Sequence, residues 1–126
     1  MPKIKLGQRP QSFKRVVKFK MLDGAEASIE VSYKYRTRTE FGAFIDEIAA
    51  AAKAERPEGD DFSVAAIWEK IGSGNADYIM QAVDGWNLDE EFTRENVQQL
   101  ADELPAAVIA IIDSYRDAIT QGRLGN

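Results

Sequence analysis

Ala25-Glu26-Ala27-Ser28-Ile29-Glu30-Val31-Ser32-Tyr33-Lys34-Tyr35 alternates apolar and polar side chains without a break. A period of two marks a half-buried strand, because successive side chains of an extended chain point to opposite faces. The run before it alternates less cleanly, with Val17, Phe19 and Met21 on one side and Lys18 and Lys20 on the other. Asp23-Gly24 between the two runs signals a hairpin. The register follows from keeping the faces unmixed. A two-residue Asp23-Gly24 loop would set Phe19 against Ser28 and Val17 against Glu30. A three-residue loop, Leu22-Asp23-Gly24, sets Met21 against Ala25, Phe19 against Ala27 and Val17 against Ile29, all apolar. We expect the second, a type I turn closed by Gly24 in the left-handed region. Its outer face carries Lys18, Lys20, Glu26, Glu30 and Lys34.

Upstream, residues 1–12 hold Pro2, Gly7, Pro10 and many polar groups, and read as a flexible arm. Downstream of Arg36-Thr37-Arg38 the period becomes helical. Phe41, Phe44, Ile45, Ile48, Ala49 and Ala52 form one stripe, and Thr37 with Glu40 fits a capping box, Thr39 being the alternative, later start. Glu55-Arg56-Pro57-Glu58-Gly59-Asp60 ends that helix. Asp61 then caps a short one with a stripe of Phe62, Ala65, Ala66 and Ile71, and Trp68 beside it reads as core. Gly72-Ser73-Gly74-Asn75 reads as a break, with another helix from Ala76 to Val83. Asp84-Gly85-Trp86-Asn87-Leu88 reads as a turn in which Trp86 anchors residues 84–92 on the helices or belongs to an interface. Thr93 starts the next helix, which ends near Leu104. Pro105 opens a last one, with a stripe of Val108, Ile111, Ile112, Tyr115 and Ile119 and a stop at Gly122.

The fold class is α+β: an N-terminal β-hairpin followed by a mainly α-helical bundle of four to five helices. We expect a single domain over residues 1–126, with the arm at 1–12, the hairpin at 13–35 and the helical part at 37–122. A lone hairpin is marginal in water, so it must pack on the helices or gain strands from a neighbour.

Composition narrows the chemistry. At 126 residues, 44% hydrophobic and 29% charged, the chain has the make-up of an ordinary soluble domain. No apolar run approaches the ~20 residues of a membrane span, and the N-terminus lacks a signal peptide's apolar stretch, so a cytoplasmic protein is expected. There is no cysteine and no histidine. Disulfides, thiolate nucleophiles and the usual general base are therefore missing, and we expect neither an enzyme nor a cofactor. Gly72-Ser73-Gly74-Asn75-Ala76-Asp77 has two glycines of a dinucleotide fingerprint but not the third, and follows a helix where a strand is required. From Asp84 an EF-hand loop would need a glycine sixth, where Asp89 stands.

Charge is divided unevenly. Residues 1–38 carry ten basic and three acidic side chains, a net +7, and the remaining six basic and eighteen acidic give −12. Either the N-terminal part meets a polyanion or the two parts attract one another. Lysines interleaved with Phe13, Phe19, Tyr33 and Tyr35 suit a small nucleic-acid-binding regulator contacting through Lys14, Lys18 and Lys20. Against that, alternation turns the rings away from most of the lysines, and the acidic remainder repels a polyanion.

The stretch Val83-Asp84-Gly85-Trp86-Asn87-Leu88, then Phe92-Thr93-Arg94-Glu95-Asn96-Val97, then Leu104-Pro105, Ile112, Tyr115 and Gly122-Arg123-Leu124-Gly125-Asn126 resembles a family of tail assembly chaperones of long-tailed bacteriophages. There a Gly-Trp-Asp or similar turn precedes a Thr-x-x-Asn helix start, and a proline-started helix with a tyrosine follows. Thr93, Asn96, Pro105 and Tyr115 match that packing pattern, while Asn87 stands where an aspartate is common. The resemblance implies a protein that binds the long, largely helical tape measure protein, keeps it soluble and recruits tail tube subunits, and is absent from the finished virion. It also implies many copies acting together. We expect homo-oligomers in which the basic hairpin of one subunit meets the acidic helical part of the next. Lys18, Lys20, Tyr33, Tyr35, Trp86 and Leu88 are the expected contact residues, with an apolar groove between the helix of Phe41 and the last helix as a further binding surface. No membrane is involved.

Overall fold

The computed structural model describes residues 6–54 and 63–121. Strands β1 (Ser12–Lys20) and β2 (Glu26–Lys34) form the hairpin. Val17 faces Ile29 and Phe19 faces Ala27, the register that unmixed faces require. The turn is the three-residue one. Met21 N donates to Ala25 O at 2.8 Å, Gly24 N donates to Met21 O at 2.9 Å, and Gly24 has φ +88. Asp23 Oδ1 accepts from Ala25 N at 2.9 Å, fixing the loop from inside.

A third strand corrects the reading of residues 84–88 as a turn. β3 (Val83–Trp86) pairs antiparallel with β2, so the sheet runs β1-β2-β3 with β2 in the centre. Val31 lies opposite Trp86 and Tyr33 opposite Val83, with a bulge between Ser32 and Tyr33. Asn87 fastens the far end: its N donates to Glu30 O at 3.1 Å, and its Oδ1 accepts from Glu30 N at 2.9 Å. That side chain imitates a strand neighbour, which is why pairing outlasts so short a strand.

Four helices complete the α+β fold: α1 (Arg38–Ala54), α2 (Val64–Ala82), α3 (Arg94–Glu103) and α4 (Pro105–Gln121). The capping box at α1 forms in both directions, Thr37 N to Glu40 Oε1 at 2.9 Å and Glu40 N to Thr37 Oγ1 at 3.2 Å. Thr93 caps α3, its Oγ1 accepting from Asn96 N at 3.2 Å, and Pro105 opens α4. The expected stops at 55–60 and Gly122, and the expected cap Asp61, lie outside the described residues. The cap observed on α2 is Ser63, whose Oγ accepts from Ala66 N at 3.1 Å.

The expected break at Gly72-Ser73-Gly74-Asn75 does not occur; α2 passes straight through it. Each mid-helix glycine costs about 0.5–1 kcal/mol relative to alanine, which packing of Ala76, Tyr78, Ile79 and Ala82 in the core overrides. A Cβ added at Gly72 or Gly74 meets nothing within 4 Å. The double variant Gly72→Ala, Gly74→Ala is therefore expected to gain about 1–2 kcal/mol. A urea titration checks this, and an unchanged or lower midpoint would show that the helix needs its glycines.

The core lies between the inner face of the sheet (Val17, Ile29, Val31, Tyr33) and the helices, with Val97, Val108, Ile111 and Tyr115 among the residues buried there. α4 crosses β1, and α3 packs on α2 and α4. α1 is held mainly through Phe41 and Phe44, the buried members of its stripe. Ile48 is half-buried, whereas Ile45, Ala49 and Ala52 remain exposed. Half of that apolar stripe has no covering.

Candidate partner-binding surfaces

Tyr115 is the meeting point of the interior. Its ring centroid lies 5.1 Å from that of Tyr33, 5.7 Å from Phe41, 6.2 Å from Phe13 and 6.3 Å from Tyr78. Its hydroxyl donates to Lys34 O at 2.8 Å and accepts from Arg36 Nη1 at 3.0 Å. Burial pushes the Tyr33, Tyr78 and Tyr115 phenols above their ordinary pKa, and the hydroxyls of Tyr33 and Tyr115 serve as neutral hydrogen-bonding groups. Tyr33 is 0% exposed and its hydroxyl donates to Ile111 O at 2.7 Å. This corrects its expected place in a contact surface: the inward face of β2 carries it into the core.

The segment Arg36-Thr37-Arg38 serves three helix ends at once. Arg36 Nη2 donates to Gln81 O, in the last turn of α2, at 3.2 Å, and its guanidinium lies 4.2 Å from the Phe44 ring centroid. Arg38 Nε donates to Thr120 O, in the last turn of α4, at 2.9 Å. Cations here suit the negative ends of helix dipoles and bind carbonyls that no helix partner reaches. Arg9 pairs with Glu40 at 3.0 Å and lies 5.6 Å from the Tyr35 ring centroid. The backbone N–H of Thr37, and then Arg9, hold the Glu40 carboxyl below its ordinary pKa. So Arg9, Arg36 and Arg38, three of the ten basic residues in 1–38, are engaged within the fold.

Four lysines stand further out. Lys14, Lys18, Lys20 and Lys34 are exposed on the outer face of the sheet, interrupted by Glu26 and Glu30. Lys18 Nζ is 3.9 Å from Glu26, an exposed pair that contributes under about 1 kcal/mol. At the other end of the sheet, Asp84, Asp89, Glu90 and Glu91 are exposed around β3. Trp86 takes the anchoring role: its Nε1 donates to Glu90 O at 2.7 Å and its ring meets Phe92 edge-on at 5.2 Å. Leu88 is half-buried beside it, and Asn96 Nδ2 donates to Glu91 O at 2.7 Å. Of the expected contact residues, Lys18 and Lys20 are open, Tyr35, Trp86 and Leu88 partly so, and Tyr33 closed.

The most open apolar surface lies elsewhere. Val64, Trp68 and Ile71, one row along α2, are 69%, 67% and 47% exposed. Trp68 was expected in the core, but the buried residues of α2 are Ala76, Tyr78, Ile79 and Ala82, in its second half. Spacing put Ile71 in a stripe with Phe62, Ala65 and Ala66, set Trp68 beside it and left Val64 unmarked, with no sign of whether anything covers them. Next to the row, a groove of 330 Å³ opens between α1 and α2, lined by Ile48, Ala51, Ala52, Ile71 and Gly74, with Ile112 of α4 also contributing. The groove expected between α1 and α4 thus has α2 as its second wall, because the unbroken α2 reaches alongside α1.

Among the described residues no group of three acidic, cysteine or histidine side chains could hold a metal, and no helix is long and apolar enough to cross a membrane. Exposed apolar rows beside separated patches of opposite charge are features of protein-binding surfaces. The family model for phage tail assembly chaperones matches residues 1–126, the whole chain, and the protein belongs to that family. Its partners are accordingly phage tail proteins. No curated protein and no solved structure matches the chain.

Proposed function

We propose that this chaperone binds the tape measure protein, keeps it soluble and helps recruit tail tube subunits, acting in the cytoplasm of the infected or lysogenic host and leaving no copy in the mature virion. The observation that carries this reading is the uncovered apolar row Val64, Trp68 and Ile71 beside the groove between α1 and α2. A long helical client presents repeated apolar faces, and such a row can shield one of them. Co-expression with the tape measure protein of the same phage tests it. The wild type is expected to raise the soluble client several-fold. Trp68→Asp with Ile71→Asp should abolish most of that gain while keeping the wild-type circular dichroism, since each side chain contributes roughly 1.5–3 kcal/mol when buried, together more than about a hundredfold in affinity. A client that stays insoluble, or a double variant that protects equally, would sink the reading.

Copies of the chaperone associate head to tail in this proposal, the lysine face of one sheet against the acidic surface around β3 of the next. Such a heterologous contact repeats into a ring or spiral. Light scattering should report smaller particles as salt rises from about 0.05 to 0.5 M, since exposed charges are screened. Size that holds or grows with salt counts against it. The interrupting Glu26 and Glu30 disfavour nucleic acid as the partner of that face.

A further inference from the structure

Lys70, on α2, lines the groove between α1 and α2, and its ammonium nitrogen is buried with no hydrogen-bond partner. Among the described residues no carboxylate lies within ion-pair distance of it; of the two acids that also line the groove, Asp77 is paired with Arg94, and Glu47 of α1 lies beyond ion-pair reach of Lys70. A desolvated cation without an acceptor is unfavourable, and a carboxylate brought to it relieves that cost.

We propose that the groove docks an amphipathic α-helix of a partner protein that carries an aspartate or glutamate within its apolar face, placed to pair with Lys70. The inference rests on the chaperone reading and adds the chemistry of the recognised segment. Charge selects the residue: a neutral helix leaves the ammonium bare, and a basic one repels it. Shape selects the helix. Ala51, Ala52 and Gly74 are small and let a helix backbone approach closely, while Ile48 and Ile71 supply apolar contact. The walls are two helices and offer no strand edge, so an extended peptide would bury backbone groups unpaired; a helix satisfies its own. The exposed Trp68 and Val64 continue the apolar surface along α2 and lengthen the seat.

The full-length chain would be titrated with two fluorescent helical peptides of about 20 residues, alike except at the centre of the apolar face. One carries glutamate there and the other glutamine. The glutamate peptide is expected to bind at least about tenfold tighter. Lys70→Met, which removes the bare cation and should fold at least as well, is expected to erase that preference, and Lys70→Arg to keep most of it. Binding of neither peptide, equal binding of both, or a preference that survives Lys70→Met overturns the proposal. So does self-association that the glutamate peptide displaces, which would make a second copy the occupant. None of these results bears on capture of the tape measure protein in co-expression, so failure here and failure of the chaperone reading can be told apart.

Discussion

Tyr115→Ala is expected to remove a large share of the protein's stability, seen as weakened near-ultraviolet circular dichroism and a urea transition moved to much lower denaturant. The side chain is 0% exposed and contacts rings from β1, β2, α1 and α2. Removing an aromatic side chain from a packed core costs about 3–5 kcal/mol, against a total of roughly 5–15 for a domain. Tyr115→Phe keeps the ring and loses only the hydroxyl, which links Lys34 O to Arg36. That loss should cost about 1–3 kcal/mol. Two results would contradict this ranking: a phenylalanine variant as damaged as the alanine one, or an alanine variant that melts within a few degrees of wild type.

Arg36→Ala should be the most harmful substitution of a charged residue, at about 2–4 kcal/mol. One guanidinium contacts the Tyr115 hydroxyl, the Gln81 carbonyl and the Phe44 ring, tying the end of β2 to three helices. Arg36→Lys keeps the charge but has no planar fork to serve two acceptors while covering a ring. It is expected to recover less than half of the loss. Chemical denaturation of the three proteins decides it; full recovery by lysine would mean that charge alone is required.

The hairpin was legible in the sequence to the residue pair. Val17 could face only Ile29 once the two faces had to stay unmixed, and a face error would cost every pair in the strand. The helix starts at Thr37, Thr93 and Pro105 were legible for a similar reason, since capping is chemistry between residues at most four apart. The structure departed from the sequence reading where distant parts of the chain decide. β3 has four residues, and its Asp84-Gly85 imitates a turn; only β2, some 50 residues earlier, makes it a strand. The Gly72-Ser73-Gly74-Asn75 stretch resists helix locally and is carried through by the packing that follows it.

The contact surface was the least legible part. Periodicity placed Trp68 near an apolar stripe but could not say that the stripe lacks a neighbour. Counting charges likewise hid a distinction: Arg9, Arg36 and Arg38 hold the fold together, while Lys14, Lys18, Lys20 and Lys34 face outward. The positive surface is narrower than the +7 of residues 1–38 implies.

Tyr33 closes on the carbonyl of Ile111, 78 residues further along the chain. At 5–20 residues per second, a ribosome needs about 4–16 s to make that stretch. Through that interval the strands are out and the helix they rest on has yet to be translated. A stop codon at position 105 therefore releases a sheet without α4, the helix that crosses β1.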